Sequence, residues 1–268
     1  MTALPSPPLG ILVPLAEEAE ALFALMRQDG ATQTRRLGGR DYHSGSLFGR
    51  DCVLTLSRVG KVAAATATAG LVHEFGVGAV LNAGVAGGAA ASVHVGDIVV
   101  GDAMLQHDLD ARPIFPRFEV PLTGMSRFAA DAVLGASLAR ATQAFLAEDL
   151  PALAPDIRAQ FSLASPALHR GLVISGDRFV NGHADVAALR ADVPDALAIE
   201  MESGAVAQVC HDYGVPFAVL RIISDSADDN AHVDFPRFLG LVASFYSHHI
   251  IRRFLQDDWS LGRATISA

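Results

Sequence analysis

Three short stretches of this chain put carboxylates beside runs of apolar residues. The first is "AEEAEALFALMRQ", where Glu17, Glu18 and Glu20 open a segment with apolar residues at helical spacing. Acids at a helix start compensate the macrodipole. That suffices for Glu17 and Glu20, whose neighbours one and two turns on are Ala21, Ala24 and Arg27. Glu18 instead meets Leu22 and Leu25, so it leans into the apolar stripe. A carboxylate held there loses solvent, its pKa rises, and it becomes suited to act as a general base.

The other two stretches are "ALAIEMES" and "FAVLRIISDS". On a strand Glu200 and Glu202 share a face and Met201 points the other way. Two uses fit them. They can neutralise the start of a helix that Ser203 caps and Gly214 stops. Alternatively they can bind a sugar, because one carboxylate accepts from two neighbouring hydroxyls. Asp225 directly follows an apolar strand, with Ser224 placed to orient it. An Asx-turn or helix cap is the ordinary use of such a pair. Asp228 and Asp229 read as loop acids. The glycine cluster "NAGVAGG" (82–88) is not GxGxxG and opens no evident helix, so a dinucleotide fingerprint is not met. Glycines there still let the backbone approach a ligand closely. His107, Asp108 and Asp110 alternate on an extended segment with no further histidine nearby, which predicts no metal site. No cofactor is expected.

The elements that must position these residues alternate along the chain. "LGILVPL" (9–15) reads as a buried strand followed by the Glu18 helix. "DYHSGSLFG" and "DCVLTLS" form a hairpin pair, and "KVAAATATAGLVHEFG" is a small-residue helix stopped by Gly76. "VGAVLNAG", "VGDIVVGDAMLQHDLD", "RGLVISG", "ALAIEM" and "PFAVLRIIS" read as strands. Residues 127–160 and 236–256 read as helical. Near-continuous apolar strands between helices predict an α/β fold, three-layered α/β/α, with a central mixed, mostly parallel sheet covered on both faces. In such sheets ligands sit beyond the carboxyl ends of the strands, where the acids fall. The expected organisation is a Pro-rich lead-in (1–8), a single domain (9–258) and a tail (259–268).

The chain has 268 residues, 51% of them hydrophobic and 18% charged, which is too apolar for disorder. No window approaches eighteen uninterrupted apolar residues, so no membrane partner is expected. "MTALPSPPLG" has neither the basic nor the apolar region of a secretory signal. Cys52 and Cys210 lie in apolar stretches without a CxxC partner, as in a reduced cytoplasmic protein. A formal charge of −9 with scattered arginines argues against a nucleic-acid surface.

Taken together, "GILVPLAEEAEAL", "SRVGKVAAATAT", "NAGVAGG", "VGDIVVGDAMLQHDLDA", "GLVISGDRFVNG", "AIEMESGAVAQVC" and "LRIISDSAD" resemble the 5′-methylthioadenosine/S-adenosylhomocysteine nucleosidases of the purine nucleoside phosphorylase superfamily. The match is collinear from residue 9 to about 255 and weakest over 111–168, where this chain carries extra residues. The resemblance implies hydrolysis of the N-ribosidic bond of 5′-substituted adenosines: 5′-methylthioadenosine, S-adenosylhomocysteine or 5′-deoxyadenosine. It implies that Glu18 activates water and Asp225 protonates purine N7. Met201 and Glu202 would hold the ribose, Phe179 would stack on the purine, and the backbone at Val180 would read its edge. Val85, Ala86 and Gly87 would lie beside the sugar, with Val59, Glu200, Ser224 and Phe235 completing the substrate site. It also implies a homodimer in which 107–121 approaches the neighbouring active site. At Val85 the family commonly has a serine, and valine cannot donate a side-chain hydrogen bond to water.

The chemistry agrees. Breaking a ribosyl C–N bond needs an acid for the leaving group, a base for the nucleophile and negative charge near a cationic sugar, much as carboxylates divide labour in glycosidases. A phosphorylase would need basic groups around phosphate. The first strand–helix loop and the glycine cluster carry none, and Arg58 is the nearest candidate. The alternatives are a futalosine-type nucleoside hydrolase, a purine nucleoside phosphorylase, or a nucleoside-binding module without catalysis.

Overall fold

The computed structural model describes residues 6–180, 182–225 and 235–259. Asp228, Asp229 and most of both terminal segments lie outside them. The chain runs β1 (Leu9–Val13), α1 (Ala16–Asp29), β2 (Gln33–Leu37), β3 (Arg40–Leu47), β4 (Arg50–Leu56), α2 (Lys61–Phe75), β5 (Ala79–Gly88) and β6 (Ile98–Gln106). It continues through β7 (Phe128–Ala129), α3 (Ala132–Ala144), α4 (Pro155–Gln160), β8 (Leu168–Ser175), α5 (His183–Asp192), β9 (Ala196–Glu200), α6 (Ser203–Asp212), β10 (Phe217–Asp225), α7 (Phe235–Phe238) and α8 (Ser244–Gln256).

Among the described residues all ten strands belong to one mixed sheet. β1 pairs in parallel with β4 and β5, and β5 with β10 from Val80 opposite Phe217 to Gly87 opposite Asp225. β6, β8 and β9 are also parallel neighbours. Antiparallel pairing appears where short turns allow it, in the β2–β3–β4 meander. It also appears at two closures, β10 on β6 and β9 on the far end of β5. The sheet therefore curls. β5, β10, β6, β8 and β9 close on themselves, and β1, β4, β3 and β2 extend as an open wing. β5 serves both parts, pairing with β1 through its first half and with β9 through Gly87 and Gly88.

Helices cover both faces. On one side Leu22 and Met26 of α1, Leu134 and Leu138 of α3, and Ile250 and Phe254 of α8 pack on Ile11, Leu81 and Leu220. On the other, Ala67 and Leu71 of α2 and Val206 and Cys210 of α6 pack on Val80, Val99 and Val219. Each fully buried Leu or Ile contributes about 1.5–3 kcal/mol relative to exposure. β2 has no apolar alternation and is almost wholly exposed, so only its backbone ladder with β3 reveals it. The 127–160 stretch, expected as helical, opens instead with β7 and then forms α3, a π-helical turn (Phe145–Asp149) and α4. Ion pairs in both directions anchor it to α8 and the residue that caps it. Asp149 pairs with Arg252 and Arg253 at 3.0 and 2.5 Å, and Asp257 takes Ser137 and Arg140 at 2.6 and 2.5 Å.

Candidate active site

The carboxyl ends of β1, β5, β8, β9 and β10 open onto one cavity of about 180 Å³. Val59, Val85, Ala86, Gly87, Phe179, Val180, Glu200, Met201, Glu202, Ser224, Asp225 and Phe235 all line it, joined by Pro14, Leu15, Arg178 and Ile199. A larger open groove of about 370 Å³ lies by β7 and α6. Its one acid, Asp131, is used to cap α3 through the Val133 and Leu134 amides.

Glu18 sits just behind the lining and is 1% exposed. As the third residue of α1 it reaches back to the Leu15 N–H, at 3.1 Å, as a capping-box glutamate does. Its other oxygen accepts the Val85 N–H, within the glycine cluster, at 2.8 Å. Burial pushes its carboxyl up to about 7, against the opposing pull of Arg221 and of those two amides. Asp225 ends β10, is 7% exposed, and accepts a hydrogen bond from Ser224 Oγ at 2.8 Å.

The two glutamates of "AIEMES" part company. Glu202 turns toward α2 and accepts the Gly60 N–H at 3.0 Å. Burial raises its carboxyl, the neighbouring Glu200 raises it further, and Arg221 and the Gly60 amide work the other way. Glu200 is committed to the framework. It accepts the N–H groups of Glu202 and Ser203, the hydroxyls of Ser175 and Ser203, and Arg221 Nη2 at 2.6 Å. The expected capping by Ser203 is thereby corrected. Glu202 holds the cap position, Ser203 is the first helical residue, and the Glu200 carboxylate takes the free amides of α6. A carboxylate meets two amides at once, which one hydroxyl cannot.

Two further corrections concern arginines. Arg58 is turned away from the site, donating to Gly39 O at 2.6 Å. The cation that does stand beside Glu18 is Arg221, which sequence reasoning passed over. It is fully buried, donates from Nη2 to Asn82, Glu200 and Ser203, and among the described residues has no hydrogen-bond partner at Nε or Nη1. An arginine inside "AVLRIIS" was itself the available signal, because a buried cation must find a counter-charge. Gly84 makes room for it: a Cβ there would collide with Arg221 Nη1 and come within 3.2 Å of Glu18 Oε1. So the glycine cluster admits a guanidinium at this point. Of the His107–Asp108–Asp110 group, His107 is buried, Asp108 pairs with Lys61 at 2.5 Å, and Asp110 pairs with Arg112 at 2.5 Å.

A family model described as the phosphorylase superfamily matches residues 8–256. The structure of the 5′-methylthioadenosine/S-adenosylhomocysteine nucleosidase from Neisseria meningitidis in complex with methylthio-immucillin-A is 32% identical over 92% of this chain and 98% of that one, with a TM-score of 0.79. Its counterpart from Colwellia psychrerythraea in complex with adenine is also 32% identical, covering 94% and 95%, with a TM-score of 0.80. The S-adenosylhomocysteine nucleosidase from Streptococcus pyogenes in complex with 5-methylthiotubericidin is 28% identical, covering 94% and 98%, with a TM-score of 0.80. With the matches spanning the strands, the helices and all three acid-bearing strand ends, the chain belongs to the 5′-methylthioadenosine/S-adenosylhomocysteine nucleosidase family of the phosphorylase superfamily.

Proposed function

We propose that this pocket hydrolyses the N-ribosidic bond of 5′-substituted adenosines, namely 5′-methylthioadenosine, S-adenosylhomocysteine and 5′-deoxyadenosine, releasing adenine and a 5-substituted ribose. The observation that carries the choice of water over phosphate is the seat of the Glu18 carboxylate. It takes the N–H groups of Leu15 and Val85, backbone donors of the kind a phosphate would need. The Glu18 carboxyl already occupies both amides, which leaves neither for a phosphate.

In this reading Asp225 gives its proton to purine N7 as the C–N bond lengthens, with the Ser224 hydroxyl fixing its orientation. Glu202 accepts from the ribose hydroxyls and sets negative charge near the cationic sugar. Water attacks the anomeric carbon as Glu18 takes its proton. With its carboxyl at about 7, Glu18 has the matched affinity that general base catalysis requires near neutrality. Phe179 and the Val180 backbone hold the purine, and Met201 lies against the sugar. In this reading Val59, next to Gly60, lies on the sugar side, where Leu15 and Phe235 add apolar surface for a 5′ substituent. Val85 contributes its N–H to Glu18 and no side-chain donor.

The same reading includes a homodimer with 107–121 at the neighbouring pocket, which the 80% exposure of Ile114 supports. Buried Cys52 and Cys210, both free thiols, suit a reducing cytoplasm. Adenine release from 5′-methylthioadenosine, assayed with and without phosphate, tests the activity. Release independent of phosphate is expected. Strict dependence on phosphate would establish phosphorolysis instead.

A further inference from the structure

Lys61 is the only lysine in the chain, since the remaining basic side chains are arginines. It opens α2, directly after Gly60, the residue whose N–H meets Glu202. The segment leading there, Ser57 to Gly60, has little apolar anchoring, with Val59 49% exposed. It also carries two left-handed residues, Arg58 at φ 69° and Gly60 at φ 100°. A non-glycine residue in that region is held by its surroundings. Ser57 holds the start of the segment on Val13 O and Arg58 donates to Gly39 O, while its far end is fixed by polar contacts of Lys61. Its backbone N–H donates to Asp177 Oδ1 at 2.8 Å, and its ammonium donates to Asp108 Oδ1 at 2.5 Å. The second oxygen of Asp108 accepts the Asp177 N–H at 2.8 Å.

Asp108 follows the end of β6 and Asp177 the end of β8. One ammonium and two carboxylates therefore tie both strand ends to the start of α2, next to the Gly60 N–H that meets Glu202. Lys61 Nζ is well shielded, with its side chain 15% exposed. Burial alone would raise the Asp108 carboxyl, but the Lys61 ammonium and the Asp177 amide outweigh it and hold it below the usual carboxylate range.

We propose that Lys61 and Asp108 are positioning residues that hold the Gly60 N–H against Glu202, and thereby set how tightly the pocket grips the ribose hydroxyls of its nucleoside. They touch no reacting atom. Their effect reaches the substrate through one backbone hydrogen bond on the carboxylate. This inference rests on the reading of Glu202 as the ribose-binding group.

The test compares kcat/KM for 5′-methylthioadenosine with that for its 2′-deoxy counterpart. The ratio measures what the hydroxyl contact is worth, and general loosening of the fold leaves it unchanged. In Asp108→Asn and in Lys61→Met the ratio should fall about tenfold, toward the value in Glu202→Gln, as expected for loss of a hydrogen bond to a charged group. KM for the ribonucleoside should rise more than kcat falls. Asp149→Asn, in the distant cluster that faces α8, should lower thermal stability while keeping the wild-type ratio. If Glu202→Gln loses the discrimination but Asp108→Asn and Lys61→Met keep it, the positioning role is overturned and the reading of Glu202 stands. If Glu202→Gln keeps it, the reading of Glu202 fails first.

Discussion

Two clusters of acids in this molecule use the same side chains to opposite ends. At the junction of the α3 region with α8, Asp149 and Glu148 face Arg252, Arg253 and His249. Burial would raise the Asp149 carboxyl, but Arg253 and its neighbours outweigh it and hold it below the usual range. In the pocket, Glu18 and Glu202 are more deeply buried, and each receives mainly backbone N–H groups. Their carboxyls are raised. The contrast is one of counter-charge. An acid matched by arginines is fixed as an anion and serves as a tether. An acid held by amides in a dry site keeps a proton within reach near neutral pH and can exchange it with a substrate or water. Glu200 shows both environments meeting: it is as buried as the pocket acids, yet Arg221 makes it a tether.

Removing the acids on the pocket side should have the largest effect. Asp225→Asn and Glu18→Gln should each lower kcat for adenine release by roughly 10²–10⁴-fold, the usual worth of a positioned acid or base. Wild-type rates in both would erase the distinction. The acid limb of the rate profile should follow Glu18. A base works only when ionised, so activity should be lost as pH falls through about 7.

Next is the cation that makes Glu200 a tether. Arg221→Met strands a buried carboxylate and should destabilise the fold by about 3–5 kcal/mol, read by urea unfolding. A smaller change would mean that Glu200 is satisfied by the Ser175 and Ser203 donors alone.

Glu18 also carries a stability signature opposite in sign to that of a tether. Its folded-state pKa is raised from 4.5 to about 7. The folded protein therefore keeps a proton that the unfolded chain releases, and stability falls as pH rises through that window. Relative to wild type, Glu18→Gln should gain about 3 kcal/mol between pH 4.5 and 8. A pH-independent difference would show that Glu18 is not desolvated. The smallest effect belongs to the other cluster. Asp149→Asn should cost about 1 kcal/mol, with kcat unchanged.

Much of this was legible along the chain because it is local. Leu22 and Leu25, one and two turns from Glu18, show which way it leans, and that lean is what burial requires. The parallel strands announced themselves as unbroken apolar runs. β2 was invisible because "QTRRL" buries almost nothing, and strand identity there depends on a partner. The paired glutamates could be seen but not told apart, since strand alternation puts both on one face. Only Arg221, arriving from β10, and Gly60, arriving from α2, assign Glu200 to the framework and Glu202 to the cavity.

The sequence by itself determined the elements, their alternation and the presence of acids at strand ends, because hydrophobic periodicity and helix-start chemistry act over a few residues. Its collinear motifs also placed the chain in its family. The tertiary structure alone decided the closure of β9 onto β5, the burial of Arg221 against Gly84, and the clamp of Lys61 on Asp108. Each of these joins groups far apart in the chain. Their partners are chosen by how strands pair and helices pack, and no local spacing encodes that choice.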